Sequence, residues 1–139
     1  MASGRTAAWL AAELDADVTV VNVATELGGA REIATAGGLE EDQVRTRMIE
    51  EARALTESWA RAALGGRDFR VIMEEGDVPE RVAATAQAIG ADLIVAGSHG
   101  HSAIRGAILG DTTQEILRRA PCAVVVVPPG AEAGVSGDA

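Results

Sequence analysis

Four short runs rich in β-branched residues recur along the chain, "DVTVVNV" (17–23), "FRVIME" (69–74), "DLIVAG" (92–97) and "AVVVV" (123–127), each preceded by a segment with helical character. That alternation is the strongest constraint on the fold. Short strands separated by helices cannot close tight hairpins; they build a parallel sheet through crossover helices. Ala7, Leu10, Ala11 and Leu14 mark one face of a first helix, over 5–14. Val44, Met48, Ala52, Leu55, Trp59 and Ala62 step by three and four and mark a long amphipathic one. At "GDVPERV", Asp77 reads as an N-cap, with Pro79 in the first turn and Glu80 placed to complete a capping box. Val82, Ala86 and Ile89 form that helix's buried face. A last helix over about 111–119 turns Ile116 and Leu117 inward, places Arg118 and Arg119 in its last turn, and stops at Pro121. The segment "ATELGGAREIATAGG" (24–38) has four glycines and no periodicity, and is expected to be a surface loop. "DLIVAG" is apolar throughout, as in a strand covered on both faces, and "AVVVV" is expected to be buried too.

The expectation is an α/β fold, with a parallel sheet carrying helices on both faces, as one domain over 1–128 and a polar tail over 129–139. Hydrophobic residues make up 47% of the chain but aromatic residues only 2%, so the core must be built from Val, Ile, Leu and Ala. All 12 basic residues are Arg, and the net charge is −9. Without a cationic patch, nucleic acid is excluded as a partner. Cys122, the single cysteine, permits no internal disulfide and reads as a small hydrophobe. No run approaches the roughly 18 apolar residues of a membrane span. A soluble, cytoplasmic protein is expected.

Ligands of such sheets sit at the carboxyl ends of the strands. One stretch leaves such an end: "GSHGHSAIRGAILGD", residues 97–111. A Walker A loop needs a Lys that the chain lacks, and the G-x-G-x-x-G fingerprint is absent. What remains is Gly97-x-x-Gly100, nine residues, and Gly110 at a helix start. Glycines expose backbone N–H groups, and a helix amino end adds partial positive charge, so phosphates can be held without Lys. The competing reading is a glycine-rich connection with no ligand. His99 and His101 lack a third metal ligand nearby, and Ser98, His99 and Asp111 do not form a recognisable nucleophile motif. No metal and no catalytic residue is assigned. Trp9 and Trp59, on helical faces, read as core or interface.

The run "DLIVAGSHGHSAIRGAILGDTTQEILRRAPCAVVVVPPG" resembles the carboxyl-terminal half of the universal stress protein family. "TVVNV" and "MEEGDVPERVAATAQAIGADLIV" fit the family's order of elements upstream. The resemblance implies a Rossmann-like sheet, ATP or AMP as ligand (with Mg²⁺ if ATP), little turnover, and a homodimer through the edge of strand 123–127. It implies ribose and phosphate contacts from Gly97, Ser98, His99 and Gly100. Gly110, Asp111, Thr112 and Thr113 would surround the phosphate end, and Val23 would lie beside adenine. The alternative is an interaction module of the same fold without nucleotide, using that strand edge and its apolar helices. A weaker one is a hydrolase with His99 as base.

Two features depart from the family pattern. The family places Ser or Thr after the third glycine, where this chain has Asp111. A carboxylate accepts hydrogen bonds and repels phosphate, but makes a good N-cap, and with Gln114 it could form a capping box. Thr112, Thr113 and Arg105 are candidates to compensate. The family's first strand, with its Asp, is also missing from the pattern, since Met1-Ala-Ser leads straight into a helix. Unpaired backbone groups beside a gap would cost roughly 1–3 kcal/mol each, against a total stability of about 5–15 kcal/mol. Either the start is truncated and another segment fills the slot, or strands 17–23 and 92–97 close up directly.

Overall fold

In the computed structural model, which describes residues 2–25, 27–98 and 109–130, the chain opens with α1 (Ala2–Leu14), which leads into β1 (Val18–Ala24). A 3-10 turn (Leu27–Gly29), α2 (Ala30–Gly37) and the long α3 (Glu41–Ala63) then carry it to β2 (Phe69–Glu75). α4 (Val78–Ile89), β3 (Leu93–Gly97), α5 (Asp111–Arg119) and β4 (Ala123–Val127) complete the order. β1 pairs in parallel with β2, Val18 facing Phe69, and β3 pairs in parallel with β4, Leu93 facing Ala123. α1 and α3 pack on each other and α4 packs on α5, so helices cover both faces. This is the α/β architecture that the alternation predicts.

Several local expectations hold at the atomic level. The Asp77 carboxylate accepts the Glu80 N–H at 3.1 Å, and Pro79 lies in the first turn of α4. Gly90 ends that helix in the left-handed region, at φ 66°. α3 turns Val44, Met48, Ala52, Thr56 and Ala60 inward, a stripe of steps of four. Thr56 belongs there because Asn22 Nδ2 of β1 donates to its hydroxyl at 2.9 Å. That bond satisfies a polar side chain inside a β-branched strand.

The loop expected over 24–38 is instead largely structured. Ala30 and Ala34, one turn apart, bury α2 against Val44 and Met48 of α3. Gly29 stands at its N-cap and Gly38 at its C-cap, with φ 66°, so the glycines punctuate a helix rather than loosen a loop. Leu55 is 73% exposed and Leu117 also points outward, against expectation. From Leu55 on, the inward stripe of α3 runs one position away, through Thr56 and Ala60, while in α5 Ile116 is buried as expected. Ile89 and Trp9 are exposed as well, and Cys122 is only half-buried.

The two strand pairs are not joined. β1 bonds only β2 and β3 bonds only β4 among the described residues, so the sheet is split between β1 and β3. Direct closure of 17–23 on 92–97 is therefore not realised among the described residues. β3 in consequence is half-buried along its whole length, and of β4 only Val127 is buried.

Candidate functional site

The candidate site is the joint between β3 and α5. Ser98, 3% exposed, continues β3 and donates its N–H to the Val127 carbonyl at 2.9 Å. The Gly110 N–H donates to the Ser98 carbonyl at 2.8 Å, so the chain returns to the end of β3 where α5 begins. Thr113, also 3% exposed, donates its hydroxyl to the Gly97 carbonyl at 2.8 Å, with the Ser98 carbonyl at 3.3 Å. Three short contacts thus fix the first turn of α5 against the carboxyl end of β3. Thr113 is a clamp: its proton is committed to the backbone and is not offered to a ligand.

Asp111 is not the cap that its sequence context suggests. Gly110 occupies the N-cap position in extended conformation (φ −70°, ψ 158°), and no side chain caps the helix among the described residues. Asp111 is the first helical residue, one position too late for its carboxylate to cap, and it is exposed. Gln114 turns outward from the proposed box as well, its Nε2 donating to the Leu109 carbonyl at 3.2 Å. A carboxylate in the first turn still favours the helix through the macrodipole, by roughly 0.3–1 kcal/mol. The first amides of α5 have no acceptor within the helix. They face the carboxyl end of β3 with a partial positive charge, a setting suited to an anion.

Val23 sits one residue from the end of β1, opposite Glu74 of β2. Asn22 points to α3, so by strand alternation Val23 points to the α4 face. Glu74 accepts from the Thr85 hydroxyl at 3.2 Å and lies 3.8 Å from the Arg81 guanidinium, so its carboxylate is engaged by α4. Gly97, Ser98, Gly110 and Thr113 are therefore gathered in one joint, with Asp111 and exposed Thr112 on its outer side. Val23 belongs to the other strand pair. His99, Gly100, Arg105 and His101 lie outside the described residues. The sequence reading assigned Thr113 to phosphate and missed its clamp. Its place one turn into the helix, after a glycine cap, was the available signal. No helix among the described residues is long and apolar enough to cross a membrane.

The fold is shared with solved structures. The universal stress protein UspA from Lactobacillus plantarum is 19% identical over 91% of this chain and 87% of that chain, with a TM-score of 0.66. A universal stress protein from Archaeoglobus fulgidus is 22% identical over 91% and 86%, with a TM-score of 0.59. A universal stress protein solved in complex with cAMP is 23% identical over 91% and 84%, with a TM-score of 0.56. At these identities the likeness establishes the fold. No curated protein matches the chain. The model of the universal stress protein family matches residues 5–128, from α1 through β4, and the chain belongs to that family.

Proposed function

We propose that this chain is a regulatory universal stress protein domain that binds an adenine nucleotide, ATP or AMP, and acts through occupancy rather than turnover. The observation that carries this reading is the amino terminus of α5, begun by a glycine cap and clamped by Thr113 to the carboxyl end of β3. The amides of residues 111–113 suit a phosphate, with Gly110 leaving room for close approach and the exposed Thr112 hydroxyl free of the clamp. Gly97, Ser98, His99 and Gly100 follow β3 and would meet ribose and phosphate, with Val23 on the base side. The family match and a relative that holds a cyclic nucleotide support the same chemistry. Mg²⁺ would accompany ATP, its charge offset against the exposed Asp111 carboxylate.

Asp111 sets the affinity under this reading. Its negative charge stands in the turn that would receive the phosphate. Asp111→Ser should tighten AMP binding roughly two- to fivefold, from an interaction of about 0.3–1 kcal/mol at a helix end. The gain should shrink at high salt. Isothermal titration of both proteins at low and high salt reads this directly; identical affinities would remove Asp111 from the site.

A further inference from the structure

β2 is bonded by β1 alone among the described residues, so its other edge is open to pairing. The Gly76 N–H, just past the end of β2, donates to the Ala24 carbonyl of β1 at 3.3 Å. In a parallel ladder the N–H and C=O of one residue point to the same side, and the side alternates along the strand. Glu74, Ile72 and Arg70 therefore turn their backbone groups to β1, and Val71 and Met73 turn theirs outward. Free donors and acceptors on an apolar run, here "VIM" (71–73), are a template for another strand.

α3 covers that edge. It packs on β1 and β2 and runs antiparallel to β2, so that Arg45 meets Glu75 at the end of the strand and Arg53 meets Val71. Arg53 Nη1 donates to the outward Val71 carbonyl at 3.1 Å. The same nitrogen lies 4.0 Å from the carboxylate of Glu57, one turn further along α3, which holds the guanidinium over the edge. Two turns before Arg53, Arg45 Nη2 donates to the Glu75 carboxylate at 2.8 Å. Arg45, Ile49, Arg53 and Glu57 thus form a row at steps of four beside the inner stripe of Val44, Met48 and Ala52. With Arg53 half-exposed, these contacts add little to stability. Their effect falls on a competing strand, which would have to take the Val71 carbonyl from Arg53 and then bury the guanidinium or drive it off. Charges over a sheet edge oppose edge-to-edge association in this way. Lysine commonly serves in that role, and this chain has none.

The competitor at hand is β4 of a second copy. The Ser98 N–H donates to the Val127 carbonyl, so Val125 and Val127 face β3 while Val124 and Val126 turn their backbone groups outward. No strand lies beside that edge among the described residues. β4 of one copy laid on β2 of the next would extend a parallel sheet head to tail, a contact that does not close and therefore repeats. We propose that α3 shuts the outer edge of β2 against strand pairing with a second copy of this chain, and that Arg53 is the residue that does so.

Sedimentation velocity of the purified chain and of Arg53→Ala, from micromolar to millimolar concentration, tests this. Arg53→Ala should self-associate at least tenfold more tightly than the unaltered chain and grow beyond the largest species which that chain forms. Adding Met73→Pro removes an outward N–H and leaves the bonds to β1 in place, so the growth should be lost. If the proline variant does not fold, amide exchange decides. The Val71 and Met73 N–H groups should exchange at least tenfold more slowly in concentrated than in dilute Arg53→Ala, and equally fast at both concentrations in the unaltered chain. Association of Arg53→Ala no stronger than that of the unaltered chain, growth that survives Met73→Pro, or Val71 and Met73 amides already protected in the unaltered chain would each overturn the proposal.

Discussion

Replacing Thr113 by Val should lower the unfolding free energy by about 1–3 kcal/mol without changing side-chain size. The hydroxyl is 3% exposed and donates to Gly97 at 2.8 Å. Val would aim a methyl group at a carbonyl that loses this donor. Thr113→Ser keeps the bond and loses only a methyl, so it should cost clearly less. Urea unfolding separates the two: the midpoint should fall further for Val than for Ser, at an unchanged slope. Equal losses would mean that Thr113 serves by packing alone. Because the clamp sets where α5 begins, Thr113→Val should also weaken nucleotide binding at the proposed site.

An effect of similar size is expected far from that joint. Gly4 of α1 is buried, and a Cβ there would lie 2.8 Å from Ala63 Cβ and 3.0 Å from the Trp59 ring. α1 can approach α3 this closely only because position 4 has no side chain. Gly4→Val should destabilise the protein by about 1–3 kcal/mol through overpacking. Helix propensity opposes this only weakly, since Val is a poor helix former. Adding Ala63→Gly removes the shortest contact. The double variant should recover part of the loss despite a glycine inside α3, giving a coupling of roughly 0.5–3 kcal/mol. Additive losses in thermal or urea unfolding would show that the two helices do not meet there as described.

The parts of this molecule legible in the sequence are those fixed by short-range chemistry. Asp77 reads correctly as a cap because its acceptor and the Glu80 amide are three residues apart. The four strands read correctly because β-branched runs bounded by polar residues and proline have few other uses. α2 was hidden because its buried face is only Ala30 and Ala34, with glycine pairs at either side that mimic a loop. Periodicity found α3 and the first half of its inner stripe, Val44, Met48 and Ala52, but placed Leu55 inside where Thr56 stands. Thr56 faces inward for Asn22, a partner 34 residues away that no window can contain. Leu55 is therefore left outside.

The candidate site divides along the same line. The glycine spacing located the joint at Gly97, Ser98 and Gly110. Asp111 was misread as the cap because an Asp before a helix is normally one. Here the extended backbone at Gly110 takes the cap position and shifts the carboxylate into the first turn. The gap between β1 and β3 was legible as the missing first strand of the family pattern, but that the two strands do not close on each other was not.

The central claim is that the amino end of α5, clamped to β3, receives the phosphate of an adenine nucleotide. Isothermal titration of the purified chain with AMP and with ATP, with and without Mg²⁺, tests it most directly. Saturable heat at one nucleotide per chain, lost or weakened in Thr113→Val, is the predicted result. Absence of heat and of any thermal shift at millimolar nucleotide would contradict it.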